Sequence, residues 1–181
     1  MTAVIPVMIL LPFLGALVIG LTPARRAEVF RPIAVLASGG TAAVAAYVLT
    51  QFESGEAGYQ FVVDRTWIAD LGISMHFGID GISLFLVLMT AGIFPIAILG
   101  AKPHHDPKPY YAWLLILQAG SIGVFCALDL VMFFVFFEIV LVPMYFLIGM
   151  WGHGRRTYAA TKFFLYTMAG SALMLVGIFA L

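Results

Sequence analysis

The chain has little charge and almost no cysteine. Of its 181 residues only 10% are charged and 63% are hydrophobic, and the mean hydropathy is +1.07. This composition excludes a soluble domain and a disordered chain. The single cysteine, Cys126, excludes an internal disulfide and gives no cysteine spacing that would bind a metal. The formal net charge is zero, which argues against a nucleic-acid partner.

The sequence contains six apolar stretches that are long enough to cross a bilayer. A membrane-spanning helix needs about 20 predominantly apolar residues. We predict such helices at residues 4–21, 29–50, 82–100, 110–128, 130–151 and 158–181. The predicted fold class is an all-α membrane protein with about six transmembrane helices. Such a multi-pass chain lies in the lipid bilayer, and we expect that bilayer to be the cell (plasma) membrane.

Two connections between these spans have distinct patterns. Residues 51–78 form a long polar loop in which 73–77 alternate apolar and polar side chains and 59–63 are rich in β-forming residues. The loop is therefore predicted to contain two short strands, which can form a hairpin on the membrane surface. Residues 102–109 are polar and contain three prolines, and we predict a turn there that is not helical.

Several polar residues have predicted structural roles at or inside the spans. Asp80 comes directly before the third span, where its side chain can cap the helix N-terminus. Gln118 and Ser121 lie three residues apart, on one face of the fourth span. Polar side chains inside a membrane helix commonly bond to a neighbouring helix, and we expect this of both residues.

The charges in the loops predict the orientation of the chain. Every second loop is basic, and these three loops, counted with the helix ends beside them, contain seven cationic residues: Arg25, Arg26, Arg31, Lys102, Lys108, Arg155 and Arg156. The other loops contain one cation, Arg65, and six acidic residues: Glu53, Glu56, Asp64, Asp70, Asp80 and Asp129. Cytoplasmic loops carry the excess of Lys and Arg. The N-terminus is therefore predicted to lie outside the cell.

The fifth span contains one ionisable residue, Glu138, eight residues after Leu130. At ~1.5 Å per residue the carboxyl lies about 12 Å into the span, where a charge costs on the order of 3 kcal/mol. Pro143 follows within two turns and has no N–H to bond the carbonyl of Ile139. A buried membrane acid of this kind indicates a proton-transfer site. The alternative is a structural carboxylic acid that is hydrogen-bonded to a neighbouring helix.

Lys162 is the second candidate site residue, one turn inside the sixth span. Its long side chain can reach the membrane interface, and we favour that role over proton transfer.

Three segments carry a resemblance to a known family. They are 136–153 (FFEIVLVPMYFLIGMWGH), 159–167 (AATKFFLYT) and 78–84 (GIDGISL). The chain resembles the antiporter-like membrane subunits of the proton-pumping NADH–quinone oxidoreductase, respiratory complex I, and among these the subunit M family. This family is related to the large subunits of multisubunit cation/proton antiporters.

The resemblance implies an organisation and a role for Glu138. Members have about fourteen helices, including two inverted five-helix repeats. Residues 1–128 would be the N-terminal helices with the loop 51–78, and residues 129–181 the opening of the first proton-translocation repeat. Glu138 matches the membrane glutamate of helix five, which pairs with a lysine on a later, broken helix. Lys162 matches a lysine of helix six. Because residue 181 ends an apolar run without a polar flank, we expect the chain to be a truncated N-terminal portion.

The resemblance also implies a function that is shared among subunits. This chain would be the subunit of a translocase and would couple electron transfer to proton movement, while NADH, FMN, iron–sulfur clusters and quinone would be bound by partner subunits. Consistent with this, the sequence has no Gly-rich phosphate loop and no cluster-binding cysteines. Three alternatives remain open: a subunit of a sodium/proton antiporter, a structural membrane subunit, and a secondary solute carrier.

Overall fold

The computed structural model of the chain describes residues 3–53, 55, 58–68 and 73–180. The loop charges of Glu56 and Asp70 and the predicted helix end at Leu181 lie outside the described residues.

Six helices confirm the six predicted spans. They are α1 (Val4–Leu21), α2 (Ala27–Gln51), α3 (Gly81–Gly100), α4 (Pro107–Cys126), α5 (Leu130–Trp151) and α6 (Arg156–Ala180). All six are long and apolar enough to cross a membrane. The bounds of α1 and α5 are the predicted ones, and those of the other four differ by one to three residues at one or both ends.

The largest of these differences corrects the prediction for residues 102–109. The helix α4 begins at Pro107, so Pro107, Lys108 and Pro109 are helical and not part of the turn. The first N–H groups of any helix have no partner within the helix. A proline in the first turn therefore loses no hydrogen bond, and its fixed φ suits the helix.

The predicted strands are also present. The strands β1 (Gln60–Ile68) and β2 (Ile73–Ile79) pair antiparallel, with Asp64 opposite His76. Two further contacts fix this sheet to the helices. The N–H of Leu128 donates to the carbonyl of His76 at 2.9 Å, and the ring of Phe77 lies 5.8 Å from that of Phe136 in α5. The hairpin is therefore packed against the junction between α4 and α5.

Two aspartates cap the helices that begin near the hairpin. Asp80 forms the predicted cap of α3: its Oδ1 accepts from the N–H of Ser83 at 2.7 Å, and its own N–H donates to Ser83 Oγ at 2.9 Å. Asp129 caps α5, which was not predicted from the sequence. Its Oδ1 accepts from the N–H of Val131 at 2.8 Å and of Met132 at 3.1 Å. Each cap satisfies N–H groups that the helix itself leaves without a partner.

The helix α4 lies at the centre of the bundle and packs against α1, α2, α3 and α5, whereas α6 packs against α5. Glycines allow α4 and α5 to approach closely. A Cβ atom added at Gly120 would lie 2.8 Å from Val140, and one added at Gly123 would overlap the ring of Phe136. This close contact fixes which side of α5 is turned towards α4.

The interior of the α1–α4 bundle contains two apolar clusters at different depths. One includes Ile5, Met8, Ala45, Val48, Ile122 and Cys126. The other includes Ala16, Ile19, Phe30, Ala34, Tyr111 and Leu115. Ser38 and Thr41 on α2 and Gln118 on α4 lie between the two clusters in sequence, and all three are fully buried. The bundle therefore has a polar level between two apolar ones.

The hydrogen bonds at this level differ from the prediction. Ser121 Oγ donates to the carbonyl of Leu117, in its own helix, at 2.8 Å. The two amide atoms of Gln118 have no hydrogen-bond partner among the residues that the structure describes. The expected bonds between helices were therefore wrong for both residues. A serine in a helix commonly bonds to the carbonyl four residues before it, and this local bond competes with one to a neighbouring helix.

We predict that Gly123→Ala destabilises the chain, because the new methyl group would push α5 away from α4. Overpacking of this kind typically costs about 1–3 kcal/mol. Thermal unfolding in detergent micelles measures the effect. Gly92→Ala in α3 is the matched control, since a Cβ atom there would meet nothing within 4 Å. The control should be neutral or stabilising by roughly 0.5–1 kcal/mol, and equal midpoints for the two variants would contradict the packing argument.

We predict that Asp80 makes a pH-dependent contribution to the free energy of unfolding. The backbone and side-chain hydrogen bonds of Ser83 hold the pKa of Asp80 below its ordinary value of 3.8. Because the pKa is lowered in the folded state, the charged side chain of Asp80 stabilises the fold fully at a pH above the ordinary pKa of an aspartate. This stabilisation is lost as the pH falls through the lowered pKa of the folded state. Asp80→Ala should lower the free energy of unfolding by about 1 kcal/mol at pH 7.

Unfolding of the wild type and of Asp80→Ala in parallel should show this difference shrinking below about pH 4. Asp80→Asn is the control, because it retains an oxygen acceptor without a titrating group. A difference that stays constant from pH 7 to pH 3 would show that the charge of Asp80 contributes nothing.

Candidate functional site

Glu138 lies within α5 and is half-buried. Its Oε1 atom is fully buried and has no hydrogen-bond partner in the described part of the chain. A buried polar atom normally has a partner, and an ionised carboxylate without one is strongly disfavoured. The structure thus places the predicted site residue in the apolar span with one oxygen enclosed by protein.

Pro143 is buried on the same helix, which continues through it from Leu130 to Trp151. Since a proline has no N–H, the carbonyl of Ile139 has no helical partner. That carbonyl belongs to the residue directly after Glu138. An acidic group and a free carbonyl therefore lie within one turn of each other, as the sequence predicted.

The contacts of α5 with α4 show that Glu138 is turned the other way. The side of α5 that touches α4 carries Phe136, Ile139 and Val140, which meet Gly120 and Gly123. Successive residues of a helix are rotated by about 100°, so Glu138 lies roughly 200° around the helix from both Phe136 and Val140. Its side chain therefore leaves α5 on the side away from α4.

That side of α5 is covered by α6. The rings of Tyr145 and Phe164 lie 5.3 Å apart, and a Cβ atom added at Gly149 would lie 3.5 Å from Ala160. The two helices are antiparallel, so moving seven residues back from Tyr145 corresponds to moving seven residues forward from Phe164. These moves lead to Glu138 and Ser171, which therefore lie at the same depth on adjacent helices.

Ser171 is a residue that the sequence analysis missed. It is 5% exposed, and its Oγ donates to the carbonyl of Met168 at 3.1 Å. Of the residues described in α6, only Ser171 and Ala160 are buried. A lone serine in an apolar helix is a weak signal, because it can be satisfied by its own backbone. Ser171 follows Phe164 by seven residues and Ala160 by eleven, so the three residues lie on one helix face. This spacing is the sequence signal that could have indicated Ser171.

Lys162 does not lie near Glu138 in the structure. Its side chain is exposed, and Nζ lies 5.9 Å from the ring centroid of Tyr158, one turn nearer the start of α6. The pairing of Tyr145 with Phe164 places Lys162 level with Leu147, which is nine residues or about 13 Å along α5 from Glu138. Lys162 also lies about 200° around α6 from Phe164, on the side away from α5.

Comparisons with known proteins give the family of this chain. Residues 127–181 match the family model described as "NADH:quinone oxidoreductase/Mrp antiporter, TM". NADH-quinone oxidoreductase subunit M from Rickettsia bellii is 42% identical over 81% of this chain and 30% of its own length. The F(420)H(2) dehydrogenase subunit M of Methanosarcina mazei is 37% identical over 100% of this chain and 37% of its own length. The chain spans about a third of the length of these curated relatives.

Solved structures agree with the sequence relatives. A chain of respiratory complex I from Thermus thermophilus superimposes with a TM-score of 0.80 at 26% identity, over 96% of this chain and 34% of that one. A chain of the Mrp complex from Dietzia shares the fold, with a TM-score of 0.76 at 20% identity over 95% of this chain and 18% of that one. The chain therefore belongs to the family of antiporter-like membrane subunits that includes NADH-quinone oxidoreductase subunit M.

Proposed function

We propose that this chain belongs to the membrane arm of a proton-translocating NADH–quinone oxidoreductase and that Glu138 is a proton-relay group within it. The observation that supports the proposal is the enclosed oxygen of Glu138, which has no hydrogen-bond partner among the described residues, in a helix that is otherwise apolar from Leu130 to Trp151. The relatives at 37–42% identity that are named subunit M support this assignment.

The chemistry of the relay follows from the cost of a charge in an apolar span. Burial disfavours the charged carboxylate, whereas an opposite charge within ~4–6 Å favours it. A cation that approaches and withdraws would therefore make the carboxyl release and rebind a proton. Lys162 lies too far along the bundle and on the wrong side of α6 to supply this cation. We propose that the cation is carried by another segment or subunit of the complex.

The redox groups are proposed to lie elsewhere in the complex. Iron–sulfur clusters are held by several cysteine thiolates, and this sequence has one cysteine, Cys126. NADH, FMN, iron–sulfur clusters and quinone would be bound by partner subunits, and their oxidation and reduction would drive the approach of the cation. The partners are thus the other membrane and hydrophilic subunits, together in the plasma membrane.

The chain is proposed to have two functional parts. Residues 1–128 would provide the frame with the hairpin, and residues 129–181 would begin the proton-translocating repeat. The family model matches from residue 127 onwards, which supports this division. The helix that carries Glu138 lies entirely in the second part.

A subunit of a cation/proton antiporter is the second candidate. The description of the family model includes Mrp antiporters, and a chain of the Mrp complex has the same fold. Isolation of the native complex would separate the two functions. Flavin and iron–sulfur absorbance in the purified complex supports the oxidoreductase, and a complex without them, which exchanges sodium for protons, supports the antiporter.

Glu138→Gln in the intact complex should lower proton pumping to a minor fraction of the wild-type value, because an amide cannot bind and release the proton. The measurement is the quenching of a pH-sensitive dye in inverted membrane vesicles that are energised with NADH, together with the rate of NADH oxidation. We expect the number of protons pumped per NADH oxidised to fall much more than the oxidation rate itself.

Glu28→Gln is the matched control, since it makes the same chemical change at an exposed residue of α2. It should leave both measurements unchanged. Normal pumping by Glu138→Gln would show that Glu138 is a structural acid and would end the relay assignment.

A further inference from the structure

The burial of Ser171 is the starting point of a further inference, which rests on the proposed function of Glu138. The helix α6 is the most exposed of the six helices named above. Even so, Ser171 is 5% exposed, while its neighbours Gly170 and Ala172 are exposed. A polar residue is therefore buried in a helix whose apolar residues are mostly not buried.

The cover is provided by α5. Ser171 lies on the face of α6 that carries Ala160 and Phe164, and both of these contact α5. The spacings of eleven and seven residues rotate Ser171 by only about 20° from either of them. Ser171 therefore lies on the face of α6 that packs against α5, at the depth of Glu138, and Glu138 leaves α5 on the side that α6 covers.

The two groups are chemically complementary. Ser171 Oγ uses its proton on the carbonyl of Met168, and its lone pairs remain available as acceptors. A neutral carboxylic acid has one O–H to donate, whereas a carboxylate only accepts. A hydroxyl that rotates can accept from the first form and donate to the second. A backbone carbonyl can only accept from the neutral form, and a backbone N–H can only donate, so neither can do both.

We propose that Ser171 is a positioning residue for Glu138. Its hydroxyl accepts the hydrogen bond of the neutral carboxyl and donates to the carboxylate after the proton has left, either directly once the side chains rotate or across one water molecule. Ser171 itself neither gains nor loses a proton. Its effect is to hold the carboxyl in one orientation between α5 and α6, so that proton uptake and release occur from a fixed direction.

The alternative is that Ser171 only satisfies its own helix, and Thr167 provides the control for it. Thr167 Oγ1 donates to the carbonyl of Phe163 at 2.9 Å, which is the same type of local bond. Thr167 lies on the same face of α6, about one turn from Ser171 and level with Val142. Thr167→Val therefore removes a comparable hydroxyl from the same interface without changing the group opposite Glu138.

The experiment measures two properties of the intact complex. One is the number of protons pumped per NADH oxidised. The other is the infrared C=O band of the protonated carboxyl, assigned as the band that Glu138→Gln removes. Ser171→Ala should move this band to higher frequency, because a hydrogen bond to the carboxyl is lost, and should lower the pumping ratio several-fold. Ser171→Thr retains the hydroxyl and should restore both values, and Thr167→Val should change neither.

The outcomes separate the inference from the function on which it rests. If Glu138→Gln abolishes pumping while Ser171→Ala changes neither the band nor the ratio, the role of Ser171 is overturned and the relay stands. If Glu138→Gln pumps normally, the relay itself is overturned. Should Ser171→Ala fail to assemble, Ser171→Cys fills the same space with a weaker hydrogen-bonding group. It should then give a smaller shift of the band in the same direction, and an unmoved band would overturn the inference.

Discussion

The lipid interior does not hydrogen-bond, and this one constraint governs most of the structure. Every polar backbone group at membrane depth must find its partner in the protein, so the chain crosses as helices. The ends of those helices need partners as well. Asp80 and Asp129 supply them at α3 and α5, and the prolines at the start of α4 stand where no partner is needed. The same constraint makes the enclosed oxygen of Glu138 exceptional.

Close packing then decides what Glu138 meets. The glycines of α4 allow the apolar side of α5 to approach, with Val140 at Gly120 and the Phe136 ring at Gly123. Because this side is fixed against α4, the acid must point away from the central helix. Small residues in one helix thus determine the surroundings of a charged residue in the next. The helix on that side is α6, whose buried residues include Ser171 at the depth of the acid.

Much of the fold could be predicted from the sequence, because the length of an apolar run shows whether a segment can span the membrane, and alternation of apolar and polar residues indicates a strand. The six spans and the two strands are of this kind. The start of α4 differs from the prediction, because the first turn of a helix tolerates Pro107 and Pro109 although the interior of a helix would not. Glu138 was evident as a lone acid in an apolar run. Ser171 was not, since its significance depends on the register between two helices, and no local pattern carries that information.

The hairpin has a mechanical consequence. Its second strand is bonded to the chain at Leu128, and the ring of Phe77 rests on Phe136, half a turn before the acid. These two contacts connect the hairpin with the membrane-spanning helix α5. A displacement of β2 by anything that docks on the hairpin would be transmitted to the first turns of α5, and the first ionisable side chain along that helix is Glu138.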